Sequence, residues 1–393
     1  MEKRQICIVT GTRAEYHQLS LLIKALLADN RAEVKLAVTG SHLNPKYGNT
    51  YQDIEKDGFI IDKKIPILEQ SDSERDVCAA ISRAIEGFCE YFTESRPDMI
   101  VLLGDRYELL AVAIAAMNMR IPIAHLYGGD TTEGAIDECI RHSITKMSYL
   151  HFVSCERSRH RVIQMGEAPD RVFNVGALGV ENTIKQQLLS REALEENLGF
   201  FLGENFAVVT FHPVTLEKGT VQTEFGELLT ALESMPDMKI LFTKANADTG
   251  GLIVNEMIDN YVETHQEQSA AVYSLGIQRY FTALHYAKLV IGNSSSGIYE
   301  TPSFRVATIN IGDRQRGRTQ AENVINCTPD ADAILEAVNQ ALSKPFQERL
   351  LHVKSPYGEG GTSEEIAKKI VEVLLEDKID LKKKFYDIDY CEV

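Results

Sequence analysis

Short runs rich in valine and isoleucine, apolar at every position rather than at alternate ones, recur along this chain and constrain its fold more than any other feature. QICIVTG, VKLAVTG, DMIVLLGD, IPIAHLYGGD, YLHFVS and RVFNVGA come first; FAVVTFHP, MKILFTKAN, AVYSL, KLVIGNSSS and VATINIGD follow them. A run without alternation suits a strand buried on both faces, as in a parallel sheet. Longer helical patterns such as LSLLIKALLADN and FGELLTALESM lie between the runs, so the order is βαβα and the fold class doubly wound α/β. The pattern occurs twice around a break near VGALGVENTIKQQ, and 393 residues are too many for one ordinary core. We expect a Rossmann-like domain over 1–176, a second over 177–361, and a C-terminal helix and tail over 362–393. TSEE at 362–365 fits a capping box before IAKKIVEVLLEDK, and LKKKFYDIDYCEV should lie on the surface.

Charge narrows the partners. A formal net charge of −16 argues against wrapping nucleic acid or lying on anionic lipid, both of which need a basic face. No apolar run approaches about 20 residues, so no membrane span is expected. MEKRQICIVTG enters a strand-like run at once and lacks a signal-peptide layout. The seven cysteines are scattered and free of CxxC pairs, which reads as reduced thiols in a cytoplasmic protein. If so acidic a chain binds a phosphorylated ligand, it must gather arginines locally.

In open α/β sheets ligands sit beyond the carboxyl ends of the strands. Unusual polar residues stand there six times. Gly11-Thr12-Arg13, Gly104-Asp105-Arg106 and Gly128-Gly129-Asp130 follow strands in the first half; Phe211-His212-Pro213, Lys244-Ala245-Asn246 and Gly292-Asn293-Ser294-Ser295 follow strands in the second. The stretch GNSSSGIYE has no packing rationale. A strand, a Gly-bounded turn and a helix opening at serines would turn free N–H groups and hydroxyls toward phosphate oxygens. Plain N-capping by Ser294 or Ser295 is the alternative. Glu300, some two helical turns on, could reach ribose hydroxyls or simply be solvated. G-x-G-x-x-G, the P-loop motif and metal-ligand spacings such as H-E-x-x-H do not occur, so no cofactor and no metal are expected.

Carboxylates carry the chemistry. Asp105 follows a buried-looking strand, where an acid either caps or works. In GGDTTEGAIDECIRHSI a helix starting near Thr132 would put Glu133, Asp137 and Arg141 on one stripe and Ile136, Ile140 and Ile144 on a buried one. An i, i+4 pair of Asp137 with Arg141 is the plain alternative. Acids converging near Asp105 would repel one another and raise some of their pKa values, creating an acid and a base in one pocket. His212 could be a structural hydrogen-bonder or a phosphate contact. Arg13, Arg106, Arg141, Arg314 and Arg318 are the candidate anion-binding arginines.

Taken together, VTGTRAEY, LGDRYE, IDECIRHSITK, FHPVT, IGNSSSGIYE and INIGDRQRGR make the chain resemble, over nearly its whole length, the hydrolysing UDP-N-acetylglucosamine 2-epimerases. The resemblance implies a glycosyltransferase-B-like architecture: two domains facing across a cleft, the nucleotide mainly on the second, the C-terminal helix crossing back to the first. It implies that Ser294 and Ser295 hold the diphosphate and Glu300 the ribose. Arg13, His212 and Arg314 would contact phosphate, with Asn246, Asp248 and Ser274 completing the nucleotide set. Asp105, Asp130, Glu133, Asp137 and His212 would be the catalytic candidates, supported by Arg106, Tyr127 and Arg141. The implied reaction takes UDP-N-acetylglucosamine and water to N-acetylmannosamine and UDP, by anti elimination to 2-acetamidoglucal and hydration. The expected partners are a UDP-sugar and further copies of the chain, as a homodimer or homotetramer.

One departure matters. Many members carry a Glu where this chain has Tyr127, and the loop TTEGAID runs one residue longer. Asp130 or Glu133 then takes the acid–base role, or Tyr127 takes part, or the pocket suits another sugar. The same reaction on nucleotide-linked 2,4-diacetamido-2,4,6-trideoxyglucose (N,N'-diacetylbacillosamine), towards legionaminic acid, is therefore an alternative. A retaining or inverting glycosyltransferase on the same architecture is a second enzymatic reading, and a non-catalytic nucleotide-sugar-binding regulator is a reading of a different class.

Overall fold

Ile6 and Ile8 of β1 (Arg4–Thr10) enter one hydrophobic cluster and Cys7 and Val9 the opposite one, all fully buried, which is why the run need not alternate. The computed structural model describes residues 3–69, 73–132, 136–213, 221–245, 251–273 and 275–388. They divide into two compact units. The first comprises 1–130, 137–181 and 358–393, the second 131–136 and 182–357.

In the first unit β1 is joined by β2 (Ala32–Thr39), β3 (Lys63–Ile65), β4 (Met99–Leu103), β5 (Ile123–Leu126), β6 (Leu150–Val153) and β7 (Val172–Asn174). The order is β3-β2-β1-β4-β5-β6-β7 and every pair is parallel. Helices Arg13–Ala28 and Thr362–Glu376 cover one face through Leu19, Leu22, Ile366 and Ile370. Helices Glu74–Ser95 and Tyr107–Met119 cover the other through Phe88, Phe92, Leu109 and Val112. The C-terminal helix thus belongs to the first unit, as expected.

The second unit holds β8 (Phe206–Thr210), β9 (Lys239–Thr243), β10 (Ser269–Val272), β11 (Leu289–Gly292), β12 (Ala307–Ile311) and β13 (Val324–Cys327). Their order is β10-β9-β8-β11-β12-β13, again parallel throughout. Both faces are buried here too: Ala207 and Val209 enter one cluster, Phe206 and Val208 the other. The expected α/β class with two parallel sheets is the one observed.

Several local expectations need correction. β3 and β13, both at sheet edges, were not anticipated: three and four residues, one of them KKI, give too short a pattern, and lysine is how edges are kept from pairing further. The capping box at 362–365 does not form. Gly361, at φ +80°, precedes the helix without a side-chain cap, and Glu181 caps it instead, accepting from the Ser363 N–H at 2.6 Å and the Ser363 hydroxyl at 2.9 Å. The helix placed near Thr132 begins at Asp137; Ile144 is buried as expected, whereas Ile136 is 57% exposed. The C-terminal tail is mostly exposed, but Lys383 reaches inward and donates to both oxygens of buried Glu167 at 2.9 and 2.8 Å. Burial opposes ionisation of Glu167, yet donors from His151, Lys146 and Lys383 hold its carboxyl down at about 2. Its stabilising contribution is therefore full above the ordinary carboxylate range and fades as pH falls toward 2.

Candidate active site

Each sheet reverses its strand order once, at β1/β4 in the first unit and at β8/β11 in the second, and such switch points are where doubly wound sheets bind ligands. The unusual strand ends read from the sequence flank both.

In the first unit β1 runs into Gly11 and Thr12, whose hydroxyl accepts from the Glu15 N–H at 3.3 Å and caps helix Arg13–Ala28. Arg13 opens that helix, half-buried, and meets no carboxylate among the described residues. Beyond β4, Gly104 turns at φ +92° and its carbonyl accepts from Nε2 of His125 at 2.8 Å. Burial pushes His125 down to about 3, so the ring is neutral and carries its proton on Nε2. Asp105 follows and pairs with Arg141, whose side chain is 2% exposed. Arg141 also donates to Glu138 Oε2 and to the Asp130 carbonyl, each at 2.9 Å. Burial disfavours this guanidinium's charge, but Asp105, Asp130 and Glu138 together raise its pKa. A buried arginine, then, is what Asp105 meets, and Glu138 joins a group the sequence reading had assembled without it.

The loop after β5 is tightly built. Tyr127, at φ +68°, sits in the left-handed region, which is uncommon for a bulky residue, and its hydroxyl accepts from the Gly179 N–H at 3.3 Å. A Cβ on Gly128 would lie 2.9 Å from the Thr145 hydroxyl, and one on Gly129 2.3 Å from the Ser158 carbonyl. Asp130 is buried, with Oδ1 accepting from Ser154 at 2.8 Å and Ser158 at 2.5 Å. Asp137 is the first residue of helix Asp137–Met147, which carries Glu138 and Arg141. Arg106, expected beside the substrate, pairs with Glu108 at 2.8 Å. Glu133 lies outside the described residues, as do Asn246, Asp248 and Ser274 of the nucleotide set.

In the second unit Gly292 ends β11 at φ +136°, where a Cβ would fall 1.8 Å from the Thr210 carbonyl oxygen of β8. Asn293 then accepts from the His212 N–H at 2.7 Å and donates to the His212 carbonyl at 2.8 Å. Its own carbonyl accepts from Arg314 at 3.1 Å and from Gln315 at 2.8 Å. One asparagine thereby gathers the ends of β8 and β11 and the segment after β12. The serine turn opens single turns, Ser296–Tyr299 and Thr301–Phe304, rather than one long helix. Ser295 caps nothing with its side chain, and Ser294 receives only a long 3.4 Å bond from the Ser296 N–H, so ordinary capping does not account for these hydroxyls. Glu300 sits at the joint. Burial pushes it up to about 7 against a hydrogen bond from Ser296 and the charge of Arg318, and its Oε2 is buried without a partner. His212 is neutral, lowered to about 3 by burial and then by Arg314. Arg318 donates to the Thr131 carbonyl and the Thr132 hydroxyl, both at 3.1 Å.

Sequence reasoning missed Glu138, Gln315, Glu15, Glu108 and His125. LGDRYE and VTGTRAEY contain two of them, but an acid in a helix's first turn ordinarily reads as solvated.

A family model described as UDP-N-acetylglucosamine 2-epimerase matches residues 24–371. The GDP/UDP-N,N'-diacetylbacillosamine 2-epimerase (hydrolyzing) of Campylobacter jejuni is 42% identical over 88% of this chain and 90% of its own length. Polysialic acid biosynthesis protein P7 of Escherichia coli is 38% identical over 99% of this chain and 98% of its own. Among solved structures, the UDP-GlcNAc 2-epimerase of Neisseria meningitidis bound to UDP-GlcNAc matches with a TM-score of 0.79 over 95% of this chain and 100% of that one, at 18% identity, which bears on the fold.

Proposed function

We propose, because this chain belongs to the UDP-N-acetylglucosamine 2-epimerase family, that it is a hydrolysing 2-epimerase which releases a free 2-epimer and UDP from a UDP-linked 2-acetamido sugar. The observation that carries the reading is the Asn293 clamp. By holding the His212 backbone and taking Arg314 on its carbonyl, it groups two open serine hydroxyls, a neutral imidazole and a guanidinium at one strand-end turn. That is a site for a diphosphate, with the unpartnered Glu300 oxygen suited to accept from a ribose hydroxyl.

The first unit supplies the acids. In the first step the C2–H bond breaks to a carboxylate, the C1–O bond to UDP breaks, and a C1=C2 double bond forms, giving the 2-acetamidoglucal. In the second, water's hydroxyl adds at C1 and a proton returns to C2 on the opposite face. Asp105 is the base or acid at C2, oriented by Arg141, with Asp130, Glu133 and Asp137 the remaining candidates for the second face. Ser294, Ser295, His212 and Arg314 stabilise the charge that develops on the departing diphosphate, and Arg13 is the first unit's own candidate for binding an anion. Tyr127 replaces the family's frequent Glu, so the acid–base pair is drawn from the other carboxylates.

UDP-N-acetylglucosamine is the first substrate reading. A second, the 2,4-diacetamido-2,4,6-trideoxy sugar, is favoured by the C. jejuni relative at 42% identity, against the E. coli polysialic acid protein at 38%. Side-by-side UDP release from the two nucleotide sugars distinguishes them. A pocket built for the 4-acetamido group should prefer one by about tenfold or more in kcat/KM. Release from neither would end the reading.

A further inference from the structure

Gly11 is pressed between two buried acids on different helices. Its N–H donates to Oε2 of Glu15 at 2.8 Å, and a Cβ on it would lie 2.6 Å from Oε1 of Glu108. Glu15 is 6% exposed and Glu108 1%. Gly40, at φ +60° after β2, closes the packing: a Cβ there would meet the Gly11 carbonyl at 2.7 Å and Glu108 Oε1 at 3.2 Å. Arg106 is the cation of this group and binds Glu108 Oε1 at 2.8 Å. Two carboxylates and one guanidinium leave one negative charge uncompensated. One oxygen on each acid, Glu15 Oε1 and Glu108 Oε2, is buried with no hydrogen-bond partner. Leaving two buried acceptors unsatisfied is costly, and a single proton turns one of the two acids into a donor.

We propose that the Glu15–Glu108 pair carries a single proton, on Glu15, and that this pair, clamped by Arg106, fixes the Gly11–Thr12–Arg13 turn, making Glu15 a positioning residue for the anion-binding Arg13. The functional half of this rests on the reading of the site given above. Arg106 binds Glu108 directly, and Glu15, which has no cation of its own in the group, carries the proton; burial and then the Glu108 charge push its pKa up to about 8. The other charged neighbours are otherwise engaged. His42, beyond Gly40, hydrogen-bonds Thr10 and Thr50 and is lowered to about 4, chiefly by burial; His17, on the same helix as Glu15, is lowered to about 4 by burial and by Arg13. With the proton on Glu15, its Oε2 still accepts from Gly11 and its other oxygen has a hydrogen to donate. The turn is then held from inside the sheet end and Arg13 is left free to face an anion.

Because the folded chain keeps a proton that the unfolded chain gives up near the ordinary carboxylate value, stability should fall with rising pH across the window from there to about 8. Glu15→Gln mimics the protonated acid and should remove that slope. At pH 7 the infrared difference spectrum of wild type minus E15Q should contain one protonated-carboxyl carbonyl band. Glu15→Leu, which loses the Gly11 acceptor, should raise KM for the nucleotide sugar about tenfold with kcat changed by less than about threefold, and E15Q should restore it. Absence of the band, parallel melting-versus-pH slopes for wild type and E15Q, or an E15Q as impaired as E15L would each overturn the proposal. Band and slope need no substrate, so a chain with both but no UDP release would count against the function and leave the pair standing.

Discussion

Asp105→Asn is expected to lower UDP release by about 10²- to 10⁴-fold while changing UDP affinity by less than about twofold. The amide keeps the shape of the carboxylate and removes only its charge and its capacity to take a proton. The backbone around it is held independently, since the Gly104 carbonyl is bonded to His125 and the Gly104 N–H to the Leu126 carbonyl at 3.0 Å. Arg141 keeps Glu138 and the Asp130 carbonyl, so it is not left bare in the interior. If Asp105 serves only as the partner of a buried arginine, D105N would lose thermal stability and keep its turnover. Steady-state UDP release together with a melting curve separates the two cases.

The second large effect falls on the backbone of the other site. Gly292→Ala is expected to destabilise the chain by on the order of 3 kcal/mol or more, because the methyl group would overlap the Thr210 carbonyl of the neighbouring strand at an unfavourable φ. β8 cannot yield cheaply: it is central in its sheet, paired with both β9 and β11. UDP affinity should fall as well, since Asn293, His212 and the serines hang on the two strand ends that would be forced apart. Gly312→Ala is the matched control. Gly312 also has positive φ, +69°, but nothing lies within 4 Å of its added Cβ, so only the backbone penalty of about 1 kcal/mol applies. Urea unfolding of both variants tests the contrast, and equal midpoints would contradict it.

The sequence made some of this legible for physical reasons. QICIVTG and FAVVTFHP announced central strands because both faces of each are buried, which forces every position to be apolar. The candidate strand ends stood out because Gly, Asn and Ser are poor strand formers, although Gly292 and Asn293 prove to meet a local structural demand, the one packed against the Thr210 carbonyl and the other holding the His212 backbone. What stayed hidden depends on distant packing. Lys63–Ile65 becomes a strand only because β2 offers an edge, and Glu181 displaces the capping box at 362–365 because the chain folds back on the first unit. Glu15 and Glu108 look like ordinary first-turn acids until Gly11 and Gly40 close over them. Glu138 reads as a solvated helix residue, whereas its partner Arg141 lies inside.

Proton removal at C2 coupled to loss of UDP is the central step of the proposed reaction, and turnover in heavy water tests it most directly. Every free 2-epimer molecule should carry one solvent deuteron at C2, with an equimolar amount of UDP released beside it. Protium kept at C2, or an epimerised sugar still joined to UDP, would contradict it.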